Sequence, residues 1–299
     1  MNRGILYGIA AYTIWGFLPL YWKALREVPA GEILANRIVW SFFFVVLLLT
    51  AERNWDWLKP ALKQRRVLLT FTATGFLLAL NWFVYIWAVN AGYVIETSLG
   101  YFINPLVNVL LGFVFLHERL RRGQMAALAL AVAGVLYLTL SYGAFPWIAL
   151  TLAFTFAFYG LLRKTAPLGA TEGVTLETAV IFLPALAAMV LLNRSGSSSF
   201  AAGDPQTTLL LIGVGIVTAV PLLFFAAAAR RITLTNLGLL QYIAPTIQFL
   251  LGIYIFGEAF GKEQLVGFSM IWLALIVYSF ESIWVSRVRG TAQAVEEVG

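Results

Sequence analysis

The chain has 299 residues, of which 61% are hydrophobic and only 11% charged, and its mean hydropathy is +0.86. A soluble domain carries about 25% charged residues, so this composition excludes one and points to a membrane protein. The net charge of +6 calls for no nucleic-acid partner, because the cations sit between apolar runs where they meet anionic lipid, and the absence of Cys removes disulfides, thiol catalysis and Cys-ligated metal.

Ten apolar runs follow one another, each about 20 residues long, the length that crosses a hydrocarbon core. They are continuously apolar rather than alternating, which predicts helices and not a β-barrel. The first, Gly4–Trp22, carries Tyr12 and Trp15 ahead of Pro19. Tyr21-Trp22-Lys23 follows it in place of a small-residue cleavage site, so it reads as a retained helix rather than a signal peptide. Trp22, like Trp55, Trp57 and Trp284, lies near a helix end and reads as an interfacial anchor. The second run, Ala30–Leu49, holds Arg37, expected to snorkel outward beside Glu32. The third, Val67–Val89, places Asn81 and Tyr85 on one helical face.

The fourth run, Tyr93–Leu116, opens with Glu96, expected to face water or to stabilise the helix N-terminus. Its Tyr101, Asn104 and Asn108 share a face at i, i+3 and i+7 around Pro105. Runs five and six, Gln124–Leu140 and Phe145–Leu162, are joined by Ser141–Ala144, which fits a tight turn; the sixth contributes Tyr159. The seventh, Gly173–Leu192, has Glu177 near one end, where a water-facing role is expected. Asn193–Gln206 is rich in Ser and Gly and reads as a flexible solvated loop. The eighth run, Thr207–Ala229, contains Pro221; the ninth, Thr233–Phe256, contains Gln241, Tyr242, Pro245 and Gln248; the tenth is Gln264–Val285.

An internal repeat organises these runs. Shifted by 140 positions, residues 99–124 fall on 239–264 without a gap, with 8 identities in 26 positions. The matches include Pro105 with Pro245, Gly112 with Gly252, Glu118 with Glu258 and Gln124 with Gln264, which shared apolar composition does not explain. The offset predicts two five-helix halves, residues 1–140 and 145–285, followed by a cytoplasmic tail, 286–299. Five crossings is an odd number, so the second half enters from the opposite face: an inverted-topology repeat, a signature of secondary transporters. Alternate connections together with both termini carry 15 of the 20 Lys and Arg residues against 4 on the other side. The positive-inside rule therefore puts both termini in the cytoplasm. The expected fold is an all-α membrane protein of ten transmembrane helices.

In such proteins the solute path runs between the repeats near the midplane. Candidate pathway residues are Tyr12, Trp15, Asn81, Tyr85, Tyr101, Asn104, Asn108, Tyr159, Gln241, Tyr242 and Gln248. Pro19, Pro105, Pro221 and Pro245, with Pro184, Gly100 and Gly238, are candidate hinges. The competing readings are interhelical hydrogen-bond glue for the amides, plain packing for the aromatics and static kinks for the prolines. Glu118 and Glu258 occupy equivalent helix ends and read as structural connection residues paired with nearby cations. No acid sits at the midplane, which favours a neutral or zwitterionic solute. No cofactor or metal is expected. With one His, no His-Glu-x-x-His and no thiol, enzymatic chemistry has no nucleophile and base to run on. Monomer and homo-oligomer remain open, since small residues such as Ala127, Ala131 and Gly134 pack a helix of either the same or another copy.

Several stretches carry a family resemblance: Trp15-Gly16-Phe17, Pro19 to Lys23, Asn81-Trp82, Ile86 to Asn90, Ser98 to Leu106, Glu118-Arg119-Leu120, Thr218 to Leu222 and Gln241 to Thr246. Together they resemble the RarD-type (EamA) branch of the drug/metabolite transporter superfamily, over nearly the whole chain. The resemblance implies two inverted five-helix repeats, a bacterial inner-membrane location and export, with a cavity lined by the first, third, fourth, sixth, eighth and ninth helices. Relatives of that architecture include YddG-type exporters of aromatic and other neutral amino acids. The expectation is export of neutral amino-acid-like metabolites by alternating access; the alternative is multidrug or chloramphenicol-type efflux.

Overall fold

A computed structural model describes residues 3–91, 93–142, 145–196, 198–200, 205–251, 254–255, 261–263, 265–267, 269–278 and 280–281. Gly252, Glu258 and Gln264 of the repeat, Trp284 and the tail 286–299 lie outside the described residues.

Among the described residues every regular element is helical. The order is α1 (Arg3–Ala24), α2 (Ala30–Ala51), α3 (Leu58–Lys63), α4 (Arg65–Asn90), α5 (Val94–Leu116), α6 (Arg122–Tyr142), α7 (Trp147–Thr165), α8 (Ala170–Arg194), α9 (Pro205–Ala229), α10 (Leu234–Gln241) and α11 (Ile243–Leu251). A shorter apolar helix follows over Leu265–Tyr278. Seven of these are long and apolar enough to cross a membrane: α1, α2, α4, α6, α8, α9 and the Leu99–Leu116 part of α5. The other three apolar runs fall on α7, whose last turn holds Arg163 and Lys164, on α10 and α11, and on Leu265–Tyr278. Helix suits such segments because hydrocarbon offers no partner to an open backbone amide. Large apolar side chains point outward: Leu47, Phe76, Phe83, Leu183 and Leu209 are each at least 60% exposed. A surface of that kind fits lipid and not water.

The repeat is visible in the packing. Helix α1 packs on α9 as α7 packs on α4, α2 lies on α9 as α8 lies on α4, and α1 meets α10 and α11 as α7 meets α5. Across the middle, α2 pairs with α8 and α5 with α10. The helices of these pairs thus exchange partners with their counterparts in the other half, the pattern of a two-fold axis.

Gly75 and Gly215, 140 residues apart, show what this packing demands. A Cβ on Gly75 of α4 would lie 3.0 Å from the Glu177 carbonyl oxygen of α8, and one on Gly215 of α9 would lie 2.3 Å from the Trp40 carbonyl carbon of α2. Backbone meets backbone at both places, so only glycine fits.

The two duplicated helices differ. Helix α5 runs as one element through Pro105, whereas its counterpart stops at Gln241 and restarts at Ile243. Pro245 leaves the Gln241 carbonyl without its intrahelical donor, as Pro105 does that of Tyr101, and only the second helix parts at that place.

Several sequence expectations are revised. The loop between α2 and α4 contains the short α3, whose Ala61 packs with Val67, Phe71, Ala166 and Leu176. The expected turn at Ser141 is helical, since α6 continues to Tyr142; Gly143 and Ala144 lie outside the described residues. Part of the Ser-rich loop is tied down. Glu32, almost fully buried, accepts hydrogen bonds from Ser198 Oγ (2.8 Å), Ser199 N (2.9 Å) and Phe200 N (2.8 Å). Glu118 forms no ion pair among the described residues. It accepts from the amides of Leu234 (2.7 Å) and Thr235 (2.9 Å) and from the Thr235 hydroxyl (2.7 Å), capping the start of α10. Thr233 adds a cap by accepting from Asn236 N at 3.1 Å.

Candidate functional site

A cavity of about 140 Å³ lies where the two halves meet. Helix α1 contributes Tyr12, Trp15, Leu18, Pro19 and Trp22; α2 contributes Arg37; α4 contributes Asn81, Trp82 and Tyr85; α5 contributes Gly100, Tyr101 and Asn104. From the second half come Leu152 and Phe156 of α7, Thr218 and Leu222 of α9, Gln241 of α10 and Ala244, Pro245 and Gln248 of α11.

Aromatic rings line the cavity. Trp15 stands edge-on to Phe156 (5.6 Å between centroids) and tilted to Tyr12 (5.6 Å), and Tyr85 meets Tyr101 edge-on at 5.9 Å. Edge-to-face rings pack favourably while leaving a polar tip free to turn inward. The Tyr12 side chain is fully buried, and its hydroxyl has no hydrogen-bond partner among the described residues.

Amides are interleaved with the rings on the same helix faces, as their sequence periodicity requires. Asn104 donates to the Ala153 carbonyl of α7 at 2.8 Å. Asn81 donates to the Leu152 carbonyl and to the Thr155 hydroxyl, both at 2.9 Å. Gln248 donates to the Trp15 carbonyl at 3.1 Å. Each of these amides spends its nitrogen on a neighbouring helix; the side-chain oxygens of Asn81 and Gln248 receive no donor among the described residues, whereas Asn104 Oδ1 accepts from Asn108.

Three expected pathway residues sit outside the lining. Asn108, fully buried, donates to Asn104 Oδ1 (2.9 Å) and to Gln241 Oε1 (3.1 Å), so it joins the two duplicated stripes from behind. Tyr159 donates to Glu177 Oε2 at 3.3 Å and stacks on Phe225. Tyr242 donates to the Phe102 carbonyl at 3.2 Å. Of the expected hinges, Pro19 and Pro245 border the cavity, whereas Pro105 and Pro221 do not. The Pro105 carbonyl lies 2.8 Å from where a Cβ of Gly238 would be.

Charge is where the structure departs most from expectation. Arg37 does not snorkel; it is 8% exposed and turned into the cavity lining. Its guanidinium carbon lies 4.5 Å from the Trp82 ring centre and 5.1 Å from that of Trp22, and its Nε donates to Thr218 Oγ1 at 3.2 Å. Trp22 is therefore part of the site rather than an interfacial anchor. The apolar run around Arg37 carries no local sign of either tryptophan, which arrive from α1 and α4.

Glu177 and Glu96 are not water-facing either. Glu177 is fully buried 3.6 Å from Arg163 Nε, itself fully buried, and Arg163 also donates to the carbonyls of Gly169 (3.3 Å) and Ala170 (3.1 Å). Glu96 is buried and accepts from the Ile148 amide at 2.7 Å, capping the start of α7.

Comparison with known proteins follows this architecture. A solved crystal structure superposes with a TM-score of 0.70 over 92% of this chain and 98% of that one at 20% identity, a likeness of fold. Protein RarD of Streptomyces exfoliatus is 47% identical over 286 residues, covering 96% of this chain and 91% of that protein. Protein RarD of Escherichia coli (strain K12) is 45% identical, covering 96% and 97%. Residues 2–140 and 146–280 each match the EamA-like transporter family. With both halves matched and relatives this similar end to end, the chain belongs to the EamA-like transporter family.

Proposed function

We propose that the protein is a bacterial inner-membrane secondary transporter that exports neutral amino-acid-like metabolites, aromatic ones included. Membership of the family makes it a transporter and not an enzyme. The observation that carries the finer reading is the central cavity, lined by aromatic rings interleaved with the amides of Asn81, Asn104, Gln241 and Gln248, with both repeats contributing. Rings hold an apolar side chain, and the acceptors suit an ammonium or hydroxyl group.

Size favours small solutes over drugs. A dry cavity of about 150 Å³ admits benzene, and sites for drug-sized molecules run to about 300–1,000 Å³; this one has about 140 Å³. Efflux of chloramphenicol-like compounds is accordingly the second reading.

Ten crossings in two inverted halves are supported by adding α7, the α10–α11 pair and Leu265–Tyr278 to the seven long apolar helices, and cytoplasmic termini by the Lys and Arg excess on one side. Alternating access then has the halves rock about the cavity, with the break before Pro245 and the Pro19 turn of α1 as the yielding points.

Counterflow of labelled phenylalanine, tryptophan and alanine in liposomes tests the reading, with Gln248→Ala beside wild type. Saturable exchange, weakened in the variant, supports it. No exchange of any amino acid, with resistance to a drug panel in an expressing strain, turns the assignment to drug efflux.

A further inference from the structure

A buried charge in a protein interior is expected to be paired, and the repeat supplies an internal control. Shifting Arg37 of α2 by 140 positions lands on Glu177 of α8. Glu177 obeys the expectation through Arg163. Arg37 does not: among the described residues no carboxylate lies within ion-pair distance of it. The acid nearest in sequence, Glu32, is committed to Ser198, Ser199 and Phe200.

What holds Arg37 is neutral. Two indole faces flank the guanidinium, and one hydroxyl takes Nε, which is the only hydrogen bond it makes to a described residue. Arg37 itself lines the cavity, and its two terminal nitrogens make no hydrogen bond to a described residue. Tyr85 and Tyr101, packed edge-on against each other on the same lining, are uncharged phenols and no counter-ions. A fork with rigid donors, stacked between rings, is built to receive a planar anion side-on. The Tyr12 hydroxyl on the same lining is a second polar group with no hydrogen-bond partner among the described residues.

We infer that Arg37 is the anion receptor of the central cavity and that the solute carries a carboxylate. This rests on the transport reading above and narrows it: a zwitterion or a small aromatic acid qualifies, whereas an amine or an uncharged drug does not. Trp22 and Trp82 position the guanidinium, and Thr218 sets its rotation.

The test uses full-length protein in lipid nanodiscs and the intrinsic fluorescence of Trp15, Trp22 and Trp82. Phenylacetate is titrated against phenylacetamide, which has the same shape without the charge, and phenylalanine against phenylalaninamide. The expected result is binding of each acid about tenfold or more tighter than its amide, as one charge-assisted pair supplies. That preference disappears in Arg37→Gln and survives in part in Arg37→Lys. Equal affinity of acid and amide in wild type overturns the proposal with no variant needed. So does a preference that persists in folded Arg37→Gln, or no saturable response to either acid. The two readings fail separately. Arg37-dependent acid binding without counterflow in liposomes keeps the receptor and sinks amino-acid transport; counterflow that ignores the carboxylate does the reverse.

Discussion

Glu177→Gln is the most informative single change for the fold. Arg163 and Glu177 are both fully excluded from solvent, 3.6 Å apart, and join α7 to α8. At that distance and an effective dielectric of about 20, the attraction is about 4–5 kcal/mol. Breaking one partner of a buried pair costs about 3–5 kcal/mol in measured cases, because the other charge is stranded. The two estimates agree. Glu177→Gln leaves Arg163 with only the Gly169 and Ala170 carbonyls and the face of Phe71 at 5.5 Å. At about 2–4 °C per kcal/mol for a large chain, the apparent melting temperature falls on the order of 10 °C. Fluorescence melts in detergent at one fixed scan rate measure it. The double variant Arg163→Met with Glu177→Leu removes both charges and leaves none stranded, so it is more stable than Glu177→Gln alone. An unchanged melting temperature in Glu177→Gln, or a double variant as unstable as the two single effects added together, would refute the pairing argument.

Other outcomes follow from the same geometry. Glu118→Ala removes three hydrogen bonds from the start of α10, and because Glu118 is half-buried water replaces part of them; the loss is about 1–2 kcal/mol, a cap's worth, readable as a lower melting temperature that Glu118→Gln partly restores. Gly215→Ala puts a Cβ 2.3 Å from the Trp40 backbone and costs about 1–3 kcal/mol by overpacking. Gly31→Ala in the first turn of α2 meets nothing within 4 Å and gains a few tenths of a kcal/mol, up to about 1, from helix propensity, so the two alanine variants move the same melting curve in opposite directions.

Much of the fold was legible because bilayer physics writes itself locally. A run such as Pro205–Ala229 has to be a helix wherever it ends up, since nothing else satisfies its backbone in hydrocarbon. The duplicated Pro105 and Pro245 marked two helices that border the cavity, where Tyr101, Asn104, Gln241 and Gln248 reach its lining, and Tyr12 and Trp15 of α1 and Asn81 and Tyr85 of α4 reach it too. Periodicity gives the face of a helix, and the repeat gives which helices meet.

Neither one says what stands opposite a given side chain. Asn108 shares the face of Asn104, yet its partner is Gln241 on another helix, which pulls it behind the lining. Tyr159 is drawn away by Glu177. Arg37 and Glu177 each appear in the chain as a lone charge in an apolar run, with the same apparent prospects. Tertiary structure separates them by bringing Arg163 to one and two tryptophans to the other. Local pattern therefore determined that this chain spans a membrane as two related helical halves around a shared axis. Which of its few buried charges is silenced and which is left facing the cavity depended on contacts between residues far apart in sequence, and only the packed helices decide those.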